Sequence, residues 1–263
     1  MPELASALDR WEELLPRLRE KRPAVFLDYD GTLTPIVARP ELAVLSETMR
    51  RTLRTLAARC PVAIVSGRDR SDVRDLVGIE GLIYAGSHGF DIAGRGLQYE
   101  HGHSFVASLD RAEQELLEAL SGIDGGRVER KKFAIAVHFR EVRPQHAGRL
   151  ELIVDAVLRG CPDLRKGLGK KVFELRPASE WHKGKAVVWL LEALGLAGSD
   201  ALPVYLGDDV TDEDAFGAVA GRGLGVLVAE EPRVTAAGYR LKDTAEVQIF
   251  LHKLTTVLGA RRG

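Results

Sequence analysis

Short apolar runs punctuate the chain at residues 24–27 (AVFL), 61–65 (PVAIV), 82–85 (LIYA), 202–206 (LPVYL) and 224–228 (LGVLV). The runs are continuous rather than alternating, which is the pattern of strands buried on both faces, as in a parallel sheet. Helical spacing separates several of them. Met49, Leu53, Leu56 and Cys60 recur at i, i+4, i+7 and i+11 behind Ser46, a good N-cap. Val187, Leu190, Leu191 and Leu194 form a second stripe closed by Gly195. Thr211 is placed to cap a short helix over 212–219, and residues 4–18 carry one more helical pattern. Strand alternating with helix predicts an α/β fold with right-handed crossovers. In such sheets ligands bind at the carboxyl ends of the strands. The first four runs end there in DYDG, SGR, GSHG and GDD.

The stretch from 104 to 177 has another texture. Phe105, Leu109, Ala112, Leu116 and Leu120 form a helical stripe, and Leu150, Ile153, Val154, Val157 and Leu158 a second. Residues 128–140 read as β structure, with Phe133, Ile135 and Val137 alternating against smaller or polar residues, and 171–176 read as a last strand. An α-β-α-β order predicts an inserted α+β module, entered through a glycine-rich hairpin or hinge at 94–102. The expected division is a first core part over 1–103, the insertion over 104–178 and a second core part over 179–263.

Composition narrows the functional classes. Over 263 residues, 37 Lys+Arg balance 38 Asp+Glu, a net charge of −1, so a surface relying on a broad positive field for nucleic acid is excluded. No apolar run approaches the ~18–20 residues that span a bilayer. The first residues are charged throughout, with no apolar stretch of signal-peptide type. Two cysteines, Cys60 and Cys161, are too few for a disulfide framework. A cytoplasmic protein without nucleic-acid or membrane partners is expected, and a monomer.

The strand ends carry the chemistry. Asp28 and Asp30 flank Tyr29 straight after a buried strand and before Gly31. A loop curling at Gly31 brings both carboxylates to one site, where their repulsion calls for a cation. The dipeptide Asp-Gly alone is also an ordinary turn. Five acidic residues fall within 208–214, namely Asp208, Asp209, Asp212, Glu213 and Asp214. Some of these serve equally well at the following helix N-terminus. Lys183-Gly184-Lys185 opens a helix, a favourable place for phosphate. His101 and His103 lack further ligands nearby for a metal. The glycines at 221, 223 and 225 precede a strand instead of following one, so they are no dinucleotide fingerprint.

The string FLDYDGTLTPI resembles the first motif of the haloacid dehalogenase superfamily. The resemblance implies a Rossmann-like core with a parallel sheet and an inserted α+β cap of the C2 type. It implies Asp28 as a nucleophile that becomes an aspartyl-phosphate and Asp30 as general acid/base. A carboxylate nucleophile splits one hard displacement into two easier ones, and a neighbouring carboxyl can serve as the acid. Ser66, in an SGR string that by itself is a common turn, would donate to the phosphoryl oxygens, with Gly67 and Arg68 beside it. Lys183 matches the third motif, Lys185 being the alternative. Asp208 resembles the magnesium ligand, together with Asp28 and the carbonyl of Asp30, and Asp209 and Asp212 would lie behind them or act through water. Mg2+ is the implied ion, an oxygen-seeking cation that bridges to phosphate.

A wider set of strings, FLDYDGTLTPIV, SGR, YAGSHGFDI, GKKVFELRP, WHKGKAV and YLGDDVTDEDAF, is similar to trehalose-6-phosphate phosphatases from about residue 23 to 250. That likeness implies hydrolysis of trehalose 6-phosphate, the last step of trehalose formation. It implies Glu129, Lys131, Arg140, Lys170 and Glu174 of the cap as groups contacting the sugar or lying near its phosphate. His88 is either a substrate-side group or a histidine bonding its own loop. With no glycosyltransferase segment in the sequence, a separate trehalose-6-phosphate synthase acting in trans is left open. Rival readings are a phosphatase for sucrose phosphate or mannosylglycerate phosphate, a silent regulatory sensor, and a phosphotransferase.

Overall fold

The computed structural model describes residues 4–37, 39–169 and 171–260. In chain order the first elements are α1 (Trp11–Glu20), β1 (Arg22–Leu27), α2 (Glu47–Ala57), β2 (Val62–Val65), α3 (Arg70–Val77), β3 (Ile83–Gly86), β4 (Asp91–Gly94) and β5 (Leu97–Glu100). Then follow α4 (Val106–Leu120), β6 (Arg127–Lys131), β7 (Ala134–His138), α5 (Pro144–Gly160), β8 (Leu164–Gly169) and β9 (Val172–Pro177). The chain closes with α6 (Lys183–Ala193), β10 (Ala201–Gly207), α7 (Glu213–Val219), β11 (Leu224–Val228), β12 (Tyr239–Leu241) and α8 (Thr244–Gly259). Two compact units result, one combining the residues up to Tyr99 with those from Trp181 onward, the other Glu100–Glu180.

In the first unit the strand order is β12-β11-β10-β1-β2-β3-β4-β5. Pairing is parallel from β12 to β3, and β4 runs antiparallel to β3. The continuous apolar runs follow from this layering. Val25 and Leu27 of β1, with Val204 and Leu206 of β10, pack in one core with residues of α1, α2, α3 and α8. Ala24, Phe26 and Tyr205 pack in the opposite core against α6 and α7. Alternate side chains thus meet an apolar layer on either face. The helical pattern expected over 4–18 begins as a helix only at Trp11. Residues before it run along β12, with the Arg240 amide donating to the Ala5 carbonyl and the Ala7 amide to the Arg240 carbonyl. This covers a sheet edge that would otherwise present unpaired backbone groups.

Ser46 caps α2 as its type predicts, its hydroxyl accepting from the Met49 amide at 3.1 Å. Thr211 does not cap α7. Asp209 and Asp212 form a reciprocal capping box across the short 3-10 turn Val210–Asp212, because a carboxylate accepts from a helix-terminal N–H more strongly than a hydroxyl does.

In the second unit the strand order is β6-β7-β9-β8, antiparallel throughout. One face packs Ile135, Val137, Phe173 and Leu175 against Leu109, Leu116, Leu150 and Val154 of α4 and α5. The expected α-β-α-β order is in fact α-ββ-α-ββ. The strand β8, with sequence LRKGLG, has two glycines and two cations and so lacks the apolar signature of a strand.

Replacing Ser46 by Ala removes one helix cap without touching the core. The expected cost is about 1 kcal/mol, read as a lowered urea midpoint with unchanged m-value.

Candidate active site

The carboxyl ends of β1 and β10 meet at an ionic cluster. Asp28 follows β1 directly, its amide donating to the Leu206 carbonyl at 2.9 Å. Lys183, the first residue of α6, sends its ammonium into the sheet end, where Nζ lies 2.6 Å from Asp28 Oδ1 and 2.7 Å from Asp212 Oδ1. These side chains are only 3%, 7% and 0% exposed for Lys183, Asp28 and Asp212, so the bridge is cut off from water. Asp212 also accepts from the Tyr205 hydroxyl at 2.5 Å through Oδ1 and from the Asp209 amide at 2.9 Å through Oδ2. Asp208 completes the cluster, one carboxylate oxygen from each of Asp28, Asp208 and Asp212 lying within 4.8 Å of the others.

Local sequence makes this approach possible. A side chain on Gly31, whose φ is +79°, would overlap the Asp208 carboxylate, and one on Gly207 would overlap that of Asp212. Both acids therefore lie against bare backbone.

The electrostatics follow from three acids around one ammonium. Burial pushes Asp28 well above the usual carboxylate range, with Asp212 and Asp208 adding to it and Lys183 opposing. Burial, Asp212 and Asp209 raise Asp208 to about 7. Burial alone would lower Lys183, but Asp28 and Asp212 outweigh it and hold the ammonium above its ordinary range. Burial and then Asp212 keep Tyr205 protonated well beyond its usual value. With all three acids ionised, three negative charges and one positive leave −2. The donors are hard oxygens, so the residues fit a divalent cation such as Mg2+ or Ca2+.

The second and third strand ends interlock. Ser66 is buried after β2, and its hydroxyl accepts from the Arg68 amide at 3.1 Å. Its carbonyl accepts from the His88 amide at 2.8 Å, and the Ser87 amide donates to the Arg68 carbonyl at 2.7 Å. Ser87 and His88 both take left-handed backbone, at φ 50° and 58°. The His88 ring lies over Gly67, where an added Cβ would come 2.9 Å from Cε1. Arg68 grips both oxygens of Asp30, each at 2.7 Å, and reaches Asp72 at 3.0 Å. Asp30 is thus paired with Arg68, and Arg68 with two carboxylates.

Asp209 stands apart from the cluster, its carboxylate accepting from the Val210 amide at 2.7 Å. Lys185 is exposed on the first turn of α6, while the His182 ring accepts from its amide at 3.4 Å. In the second unit Glu129, Lys131 and Glu174 share one sheet face, since Glu129 pairs with Ala136 and Ala136 with Glu174. On that face Glu129 meets His138 at 2.7 Å and Glu174 meets Lys131 at 3.4 Å and Arg176 at 3.5 Å. Ala134, Ala136 and Gly167 form its floor by the same register. Arg140 is exposed in the turn after β7, and Lys170 lies outside the described residues. His101 meets Ser179 at 3.2 Å and His103 meets Glu100 at 3.5 Å, so the two histidines serve different partners. Sequence reasoning passed over Tyr205, hidden inside an apolar run. Its one signal is a phenol three residues before Asp208.

A family model described as trehalose-phosphatase matches residues 26–245. The chain belongs to the trehalose-phosphatase family. Trehalose 6-phosphate phosphatase RA3 of Zea mays is 43% identical over 275 residues, covering 98% of this chain and 76% of that protein. The C-terminal domain of the C. albicans trehalose-6-phosphate phosphatase superposes with a TM-score of 0.76 at 25% identity, covering 97% of this chain and 99% of the other. A haloacid dehalogenase-like hydrolase from Bacteroides thetaiotaomicron, 16% identical, covers 89% of this chain and 99% of its own at a TM-score of 0.65. That last likeness is one of fold alone.

The position of Asp208 has a consequence for metal-free protein. Its folded value of about 7 exceeds the ordinary carboxylate value, so the folded state holds a proton that the unfolded state has lost. This contribution is full below about pH 4 and is lost as the pH rises through about 7. In EDTA, raising the pH from about 5 to about 8 is expected to lower the urea midpoint of the wild type relative to Asp208→Asn. A gap between the two that does not change with pH would contradict the assignment.

Proposed function

We propose that this chain hydrolyses trehalose 6-phosphate to trehalose and inorganic phosphate, with Mg2+, through an aspartyl-phosphate on Asp28. The observation that carries the reading is the buried Lys183 bridge between Asp28 and Asp212 beside Asp208, in a chain of the trehalose-phosphatase family.

Asp28 presents a carboxylate oxygen to phosphorus. As the Asp28 O–P bond forms, the bond from phosphorus to the sugar oxygen breaks, and Asp30 gives that oxygen its proton. Asp30 then takes a proton from water, whose oxygen attacks phosphorus and frees Asp28 and phosphate. Arg68 holds both oxygens of Asp30, so Asp30 must exchange this partner for the leaving oxygen. Lys183 holds Asp28 in place and faces the charge that develops on the phosphoryl group. Ser66, Gly67 and the loop of His88 supply a small, rigid edge for the phosphoryl oxygens. Asp28, Asp208 and the Asp30 carbonyl would hold Mg2+, which would supply positive charge against the transferring group.

The sugar is read by the second unit. Glu129, Lys131 and Glu174, with Arg140 and Lys170, offer charged partners for hydroxyls. A cytoplasmic enzyme fits the two buried free cysteines, Cys60 and Cys161; among the described residues no helix is long and apolar enough to cross a membrane. A separate synthase would supply the substrate.

Phosphate release from a panel of sugar phosphates tests the reading. Strong preference for trehalose 6-phosphate is expected, with loss of activity in EDTA and in Asp28→Asn. Equal turnover of glucose 6-phosphate would defeat the substrate claim, and an active Asp28→Asn the mechanism. Glu129→Ala is expected to lower kcat/KM for trehalose 6-phosphate by about tenfold or more while hydrolysis of a small aryl phosphate persists.

A further inference from the structure

We propose that Tyr205 is a positioning residue for phosphoryl transfer, acting through Asp212 and Lys183 on Asp28. This deepens the phosphatase reading and rests on it.

Consecutive hydrogen bonds link the groups. The Tyr205 hydroxyl donates to Asp212 Oδ1 at 2.5 Å, Lys183 Nζ donates to that same oxygen at 2.7 Å, and Lys183 Nζ donates to Asp28 Oδ1 at 2.6 Å. Asp212 Oδ1 thereby serves two donors, and Oδ2 takes the Asp209 amide at 2.9 Å. Two donors on one oxygen and a backbone donor on the other leave the carboxylate a single orientation. Lys183 in turn has three N–H donors, and among the described residues two are committed to Asp28 and Asp212. The direction of the third is then set by those two, and it is the donor available to a phosphoryl oxygen.

Tyr205 is itself immobile. It is 0% exposed in β10, with its ring edge-on to Phe216 at 5.6 Å between centroids. It pairs in register with Phe26, two residues before Asp28, so its side chain rises on the same sheet face as that of Asp28. The Tyr205 ring packs among apolar side chains and the cluster is buried, which strengthens its bond to Asp212 and makes its loss costly. A phenylalanine would fill the ring's space equally well. Only the hydroxyl ties the ring to the ionic cluster.

Tyr205→Phe deletes the hydroxyl and keeps the ring. With purified protein, Mg2+ and trehalose 6-phosphate, the expected result is a kcat lowered by about tenfold or more, with KM within about threefold, in a protein whose urea midpoint falls but which stays folded under assay conditions. A kcat within about twofold of wild type overturns the proposal. So does a kcat loss that only parallels a loss of folded protein, or one that appears in KM alone, since those mark packing or ground-state binding. A wild type that releases no phosphate from any sugar phosphate refutes the phosphatase reading, whereas an active wild type with an equally active Tyr205→Phe refutes this one.

Discussion

The site depends on one buried ion pair, the Lys183 ammonium held between Asp28 and Asp212. Removing such charges from water costs several kcal/mol per ion and is recovered only with close geometry and further hydrogen bonds. Here both conditions are met, by the short contacts and by the Tyr205 and Asp209 donors on Asp212. Replacing Lys183 by an apolar residue would leave acids packed together without a counter-charge. The cluster is a poor way to stabilise a fold and a good way to hold the Asp28 carboxylate still. With its acids ionised, the cluster's net negative charge also suits a divalent cation.

The fold delivers this cluster through simple means. A parallel sheet places every strand's carboxyl end on one edge, so Asp28, Ser66, Ser87 and Asp208 come together from distant parts of the chain. The lysine arrives from the first turn of a helix that the apolar side of that helix pins against the sheet. Gly31 and Gly207 remove the Cβ atoms that would hold the carboxylates apart. The second unit divides its sheet between an apolar face for its own helices and a polar face whose charges lie beside alanine and glycine.

Much of this was legible in the residues. Strands buried on both faces announce themselves as continuous apolar runs, and the runs at 24–27, 61–65, 82–85, 202–206 and 224–228 all lie in the main sheet. Asp28 and Lys183 stood out because charge placed directly at the end of such a run, or at the start of a helix, has few structural uses. Other features depend on partners far along the chain. The Arg68 grip on Asp30 spans thirty-eight residues and leaves no local trace. Tyr205 looks like one more apolar strand residue until Asp212 is seen above it. Thr211 carries a cap-forming side chain, but the stronger carboxylate of Asp209 already satisfies the turn. The strand β8 was missed because its partner β9 supplies the pairing while its own glycines and cations hide the pattern.

The central claim is that Asp28, held by Lys183, attacks phosphorus and carries the phosphoryl group between substrate and water. Rapid acid quench of the enzyme during turnover of trehalose 6-phosphate, followed by peptide mass analysis, tests it most directly. The account predicts one phosphoryl group on the peptide containing Asp28, removed by hydroxylamine as an acyl phosphate is. Turnover with no phosphorylated peptide under conditions that trap acyl phosphates, or a phosphoryl group on a different residue, would contradict it.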